Sequence, residues 1–106
     1  MSASITVEGP LLFDARVGKY HGREIVEAIV VIANATRPGG KTYQHRVLLQ
    51  DFRADAQRFI QLLQAGVRVR ITGFPSATTT RSDEGGVWGQ VVVVVDDHRG
   101  TLEVLP

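Results

Sequence analysis

The stretch Gly66-Val67-Arg68-Val69-Arg70-Ile71-Thr72-Gly73-Phe74 carries the strongest structural signal in the chain. Its two valines and its isoleucine occupy every second position, and the other alternate positions hold Arg68, Arg70, Thr72 and Phe74. Strict alternation over this length predicts a half-buried β-strand. Guanidinium groups and a ring spaced ~7 Å apart on one pleated face can contact phosphates and stack on a base. We therefore predict that a single nucleic-acid strand lies across a sheet here; a solvated face that binds nothing is the alternative.

Composition describes one ordinary globular domain, 1–106. The apolar fraction of 43% is enough for a core, and the absence of cysteine excludes disulfides and thiol chemistry. Net charge is only +1, yet ten of the twelve basic residues are arginine, which pairs with phosphate and also stacks on planar rings. The sequence has neither a signal-peptide pattern nor a membrane-spanning apolar run, so we expect a cytoplasmic protein with no membrane partner.

The rest of the chain extends this β pattern. Further strands are predicted at 5–13, 25–32, 43–49, 87–95 and 101–105. One helix is predicted between an N-cap at Asp51 and a terminating Gly66, and Gly9 inside the first strand predicts a bulge or sharp coil. This order predicts an all-β protein with one helix: an OB-fold, the five-stranded Greek-key β-barrel with its helix between strands 3 and 4. A β-sandwich is disfavoured because it offers no place for a capped helix in mid-chain.

Five segments follow one another in a recognisable order: 5–11, 45–49, 66–73, 91–95 and 100–105. Together they resemble the bacterial single-stranded-DNA-binding protein (SSB) family over nearly the whole chain. The resemblance implies an OB-fold that binds single-stranded DNA without sequence preference in DNA replication, recombination or repair. It also implies a homodimer or homotetramer, with replication or primosome proteins as further partners. Relatives usually continue into an acidic C-terminal tail, which we expect this protein to lack because its sequence stops at Pro106. A PriB-like primosomal replication-restart protein is the alternative.

The predicted DNA-binding residues are cations and rings. The cations are Arg46, Arg68, Arg70, Arg81 and Lys41, and the rings are Phe52, Phe74, Trp88 and Tyr43. The resemblance places Phe52 where relatives carry a stacking aromatic. From the residues alone Phe52 stays open, because it stacks if it ends the preceding strand and packs in the core if it begins the helix. We expect Phe74→Ala and Trp88→Ala each to weaken binding by ~1–3 kcal/mol.

Surplus apolar faces predict a subunit interface. The segments 91–95 and 26–32 carry apolar residues on both faces, so we predict that Val91, Val93 and Val95 contact a second subunit. The resemblance implies the same for His45. The histidines are scattered and have neither a nucleophile nor carboxylates at ligand spacing, so we predict no catalytic residue, no metal site and no cofactor. The rival interpretation is an OB-fold oligomerisation module that docks protein and binds no nucleic acid.

Overall fold

The computed structural model describes residues 3–36, 38–40, 42–81 and 87–106, and of residues 34–36, 42, 43, 79–81, 87 and 88 it describes the backbone alone. The strands are β1 (Ile5–Pro10), β2 (Arg16–Tyr20), β3 (Arg23–Thr36), β4 (Thr42–Asp51), β5 (Arg68–Arg81), β6 (Val87–Val95) and β7 (Thr101–Val104). A short 3₁₀ helix, Ala56–Leu62, lies between β4 and β5. The prediction of a mostly β chain with one helix is confirmed for the described residues, but the helix lies between the fourth and fifth strands and not between the third and fourth. Among the described residues, no helix is long and apolar enough to cross a bilayer.

The strands form one curved sheet in the order β1-β5-β6-β4-β3-β2, and β7 also pairs with β5. The pairing of β4 with β6 is parallel, and the other pairings are antiparallel. β5 belongs to three ladders, because its first half lies between β1 and β7 and its second half pairs with β6. The sheet curls until β1 approaches β3, where Leu11 and Val30 form a single bridge. The predicted five-stranded count therefore differs from the seven strands of this sheet.

β2 is the strand that matches no predicted segment. No strand was predicted between residues 13 and 25, but Arg16–Tyr20 pairs with β3 as one arm of a hairpin. His21 and Gly22 connect the arms and have φ angles of 50° and 80°. Two consecutive positive φ values are those of the two-residue turn whose twist matches paired strands. The sequence of this segment resembles a loop, because the arms of the hairpin are polar and mostly exposed.

The core fills the concave side of the sheet. Its fully or almost fully buried side chains are Leu11, Val26, Ala28, Val30, Val47, Leu49, Ala56, Leu63, Val69, Ile71, Val93 and Val95. The prediction that Val93 and Val95 contact a second subunit is wrong, because both are 0% exposed within their own chain. Val26 and Val30 of the predicted 26–32 contact surface belong to the same core. Within the 91–95 run, Val91 keeps 48% of its surface exposed.

Gly9 allows two strands to approach closely. A Cβ atom at Gly9 would lie 2.0 Å from the carbonyl oxygen of Val31 on β3. The β1–β5 register runs through Gly9 without a shift, and the irregularity lies in β3 instead, between Val31 and Ala33. The glycine expected to mark a bulge in β1 thus marks the place where β1 crosses beneath a bulge in β3.

The helix is shorter than predicted and of a different type. Asp51 is the last residue of β4 and not an N-cap; its carboxylate, 1% exposed, accepts hydrogen bonds from Arg53 Nε at 2.9 Å and Nη2 at 2.7 Å. Three residues per turn place Ala56, Phe59 and Leu62 on one ridge. Ala56 at its start is buried, but Phe59 is 49% and Leu62 is 59% exposed. Phe59 and Leu62 therefore lie outside the core.

Candidate nucleic-acid interface

The outward side of the sheet carries the predicted row on β5. Val69 and Ile71 are fully buried, whereas Arg68 and Phe74 are exposed and Arg70 and Thr72 are partly exposed. The alternation expected for this strand is confirmed. We call the solvent-facing side of the sheet the outer surface, and we include in it the ends of β4 and β6.

Arg70 is flanked by acids on both neighbouring strands. Its Nε lies 3.2 Å from Glu8 Oε2 on β1, and its Nη1 lies 3.8 Å from Glu103 Oε2 on β7. The register sets this arrangement, because Arg70 is the cross-strand partner of both residues. The three side chains together carry a net charge of −1. Of the three predicted cations whose side chains are described, Arg70 is thus the least suited to bind a phosphate.

Arg46 and Arg68 have no such compensation. Neither forms a salt bridge with any carboxylate in the described part of the chain. Arg46 is exposed on β4, and both its Nε and Nη2 donate to Gln44 Oε1, at 3.2 and 3.0 Å, which orients the guanidinium. Val31 neighbours both cations. It is the cross-strand partner of Arg46, and it lines a shallow depression together with Arg68. Of the predicted cations whose side chains are described, these two are the ones without an acidic partner.

Phe52 lies just beyond β4 and outside the core. Its backbone N–H donates to the Val95 carbonyl at 2.7 Å. Its ring meets Tyr20 edge to face, with centroids 5.4 Å apart and planes at 89°. The Arg23 guanidinium lies 5.8 Å from the ring centroid and donates to the Phe52 carbonyl. Phe52 therefore neither belongs to β4 nor begins the helix; it follows the strand and lies outside the core. We call Tyr20, His21, Arg23 and Phe52 the aromatic corner.

Tyr20 is more exposed than Phe52 in this corner. It is 46% exposed, and it packs against His21 with ring centroids 4.4 Å apart as well as against Phe52. Held between two rings, Tyr20 presents a fixed aromatic surface to solvent. Such a surface can stack on a nucleobase at little cost in side-chain entropy.

Phe74 forms a second ring–cation pair. It is 36% exposed, and the Arg99 guanidinium lies 5.1 Å from its ring centroid. Arg99 is held in turn by Asp96, whose carboxylate accepts the backbone N–H of His98 at 2.9 Å, the backbone N–H of Arg99 at 2.7 Å and Arg99 Nη2 at 3.2 Å. These bonds, that from His98 foremost, lower the pKa of Asp96 from its ordinary 3.8. The turn between β6 and β7 therefore fixes Arg99 over Phe74.

The remaining predicted residues lie at the far ends of the long hairpins or outside the description. The backbone of Tyr43 is opposite Ala35, that of Trp88 is opposite Thr80, and that of Arg81 is opposite Val87. Their side chains lie outside the described part of the structure, as does the whole of Lys41. His45 and Val91 are exposed. The roles assigned to these six residues stay predictions.

Tyr20, Arg23 and Arg99 were not among the residues predicted from the sequence to contact nucleic acid. Tyr20 and Arg23 flank the His21-Gly22 turn, and they become neighbours of Phe52 only because that turn forms a hairpin. Arg99 precedes Gly100, whose φ of 93° marks the tight turn that returns the chain along β5. Identification of the hairpin turn would have found the first pair. Arg99 has no comparable local signal.

Among the described residues, no three or more His, Asp or Glu side chains are grouped to hold a metal ion. No family model matches the sequence, and no curated protein matches it. The structure is similar to a solved Plasmodium falciparum SSB in complex with single-stranded DNA, with a TM-score of 0.66 and 16% identity. The similarity covers 97% of this chain and 94% of the Plasmodium chain. The fold is SSB-like. It supports the OB-type architecture expected from the order of the elements.

Proposed function

We propose that this chain binds single-stranded DNA without sequence preference along its outer surface. The observation that carries the proposal is a pair of exposed ring–arginine assemblies, the aromatic corner and Phe74 with Arg99, on a sheet whose fold is similar to that of an SSB. Both assemblies lie where β4 and β6 end. Phe52 bonds to Val95, and Phe74 is the partner of Val94. Two stacking sites on one end of a sheet suit an extended polynucleotide.

The proposed mechanism combines stacking with phosphate contacts. Bases stack on Tyr20 or Phe52 and on Phe74, each worth ~1–3 kcal/mol. Arg46 and Arg68, which have no acidic partner in the described part of the chain, bind phosphates, and Arg23 and Arg99 support the rings. Phosphate contacts and stacking read no sequence by themselves. The binding is therefore indifferent to base order.

The proposal extends to the cellular role. We infer a non-enzymatic protein of DNA replication, recombination or repair that works as a homodimer or homotetramer. A PriB-like protein of replication restart is the alternative within the same class. Because Val93 and Val95 are buried, the exposed Val91 and His45 remain as the candidates for subunit contact.

Fluorescence anisotropy of a labelled oligo-dT strand tests the central claim. We expect saturable binding to oligo-dT and to mixed-sequence single strands with similar affinity, and much weaker binding to a duplex of the same length. Equal affinity for duplex and single strand, or no binding at low salt, would contradict the proposal.

A second candidate function is an oligomerisation module without nucleic-acid binding. The Glu8–Arg70–Glu103 cluster favours it, because it cancels positive charge in the middle of the proposed surface. Light scattering with and without oligo-dT distinguishes the two. A module of this kind assembles to the same mass in both samples and leaves the DNA unbound.

A further inference from the structure

An apolar groove runs between the 3₁₀ helix and β7, away from the residues proposed to contact DNA. It is lined by Arg53, Ala56, Phe59, Leu62, Leu63, Leu102 and Val104. Three of its side chains are large, apolar and about half exposed: Phe59 at 49%, Leu62 at 59% and Val104 at 49%. Adjacent apolar side chains left this open on a soluble domain mark an interaction surface.

One wall of the groove is an edge strand. Among the described residues, β7 pairs with β5 and with no other strand. Leu105 N–H donates to the Arg68 carbonyl at 2.8 Å, so Leu105 and Arg68 form a hydrogen-bonded pair of the antiparallel ladder. Since hydrogen-bonded pairs alternate along such a ladder, Thr101 and Glu103 also face β5. The N–H and C=O groups of Leu102 and Val104 therefore point outward, away from β5.

The same two residues line the groove with their side chains. Leu102 and Val104 are the cross-strand partners of Ile71 and Val69, whose side chains are in the core. Partners in an antiparallel pair point to the same face. A strand added along β7 would thus bond to Leu102 and Val104 and place every second side chain against Phe59 and Leu62. We propose that β7 and the 3₁₀ helix bind a short extended peptide of a partner protein by strand addition.

The size of the groove favours a peptide over a second copy of the chain. The open apolar surface comes from three half-exposed side chains, Phe59, Leu62 and Val104, and is well short of the ~800 Å² that each partner buries in a standard protein interface. β7 spans four residues and offers outward backbone groups from two of them. That edge matches a short segment and gives little to a dimer.

The charge beside the groove does not select an acidic peptide. Arg53 lines one end, where Asp51 pairs with it and Asp55 and Asp97 also lie close enough to raise its pKa. Arg58 lies with its guanidinium 6.0 Å from the Phe59 ring and forms no salt bridge among the described residues. Glu103 points to the opposite face, where it meets Arg70. The size of the groove and the edge of β7 therefore define the ligand, an extended segment with apolar residues at alternate positions.

A synthetic peptide tests the proposal on the full chain. The probe is the fluorescein-labelled peptide Asp-Glu-Leu-Thr-Val-Thr-Leu-Asp, measured by anisotropy. We expect saturable binding that weakens at least tenfold when alternate backbone nitrogens of the peptide are methylated, because strand addition needs those donors. Equal binding of the methylated peptide, or no saturable binding of the parent, overturns the proposal.

Variants of the protein locate the site. Leu62→Glu puts a charge into the groove and should weaken peptide binding about tenfold or more, the loss of one buried leucine contact. Val104→Pro removes an outward N–H without breaking a bond to β5, and it should have a similar effect. Val17→Glu, at an apolar position 43% exposed on another edge strand, is the matched control and should bind as wild type.

Two further measurements keep the outcome decisive. Circular dichroism and oligo-dT binding of each variant check that the fold survives; if Val104→Pro unfolds, the methylated peptide decides the role of the edge. Light scattering of the wild type and Leu62→Glu tests the other occupant. A wild-type oligomer that Leu62→Glu converts to monomer would show that a second copy fills the groove and would overturn the proposal.

Discussion

Single side chains of this protein are placed by very specific partners. Phe74 is fixed beneath Arg99, and Asp51 is fixed beside Arg53, although nothing in the spacing of either residue names that partner. Both arrangements depend on turns that follow the ends of strands. Two predictions concern these residues.

Phe74→Ala should weaken oligo-dT binding by ~1–3 kcal/mol, because it removes one stacking surface. Phe74→Leu should lose nearly as much, since it keeps apolar volume but not the aromatic face. Anisotropy titrations at fixed salt measure both. Phe59→Ala is the matched control: Phe59 is 49% exposed but lies in the peptide groove, so its loss should leave DNA affinity unchanged. Wild-type affinity for Phe74→Ala would remove Phe74 from the interface.

Arg53→Met should lower the free energy of unfolding by about 3 kcal/mol, the lower end of the range for breaking a buried ion pair. Asp51 is 1% exposed and would keep an unpaired charge, while the 26% exposure of the Arg53 side chain lets some water reach it. Urea denaturation measures the loss. The double variant Asp51→Asn with Arg53→Met should regain much of it. A loss as large in the double variant would mean that packing, and not the isolated carboxylate, is responsible.

At the scale of the elements, the sequence predicts what depends on local period and misses what depends on pairing. The alternation of β5 is visible because a strand buried on one face repeats every two residues. The start of the helix was misplaced because Asp51 has the chemistry of an N-cap but bonds to Arg53. Val93 and Val95 were assigned to an interface because a strand with valines on both faces does not reveal which face its own core covers.

Gly9→Ala tests the crossing of β1 and β3. The new methyl group would lie 2.0 Å from the Val31 carbonyl oxygen, so one of the two backbones must move. We expect a loss of at least ~2 kcal/mol in the free energy of unfolding, as for an overpacked core. Gly89→Ala is the control, because a Cβ there meets nothing within 4 Å. Equal stability of the two variants would show that the crossing is not tight.

For the molecule as a whole, the distribution of charge matters more than its sum of +1. Arg46 and Arg68 are uncompensated in the described part of the chain, whereas Arg70 lies between two carboxylates. The sequence revealed the arginine row but not this difference. The acids belong to β1 and β7, which become neighbours of β5 only when the sheet forms.

Salt titration measures which arginines contact phosphate. The logarithm of the oligo-dT affinity should fall linearly with the logarithm of salt concentration, and Arg46→Gln should reduce the slope by ~0.7, the contribution of one phosphate on a single strand. Arg70→Gln should leave the slope nearly unchanged, because Glu8 and Glu103 already neutralise that side chain. If Arg70→Gln reduced the slope more than Arg46→Gln did, the proposed phosphate contact at Arg46 would be wrong.

The three ladders of β5 also affect how the chain is made. The hydroxyls of Thr6 and Thr72 are 2.8 Å apart in space but separated by 66 positions in sequence. On the ribosome, β1 therefore emerges long before the strand that completes its hydrogen bonds, and early N-terminal segments stay open to wrong partners. Such distant contacts make folding slow compared with helical domains of equal size. Where several ribosomes translate one message, neighbouring nascent chains hold unpaired strands close together, and these strands are the most exposed to mispairing.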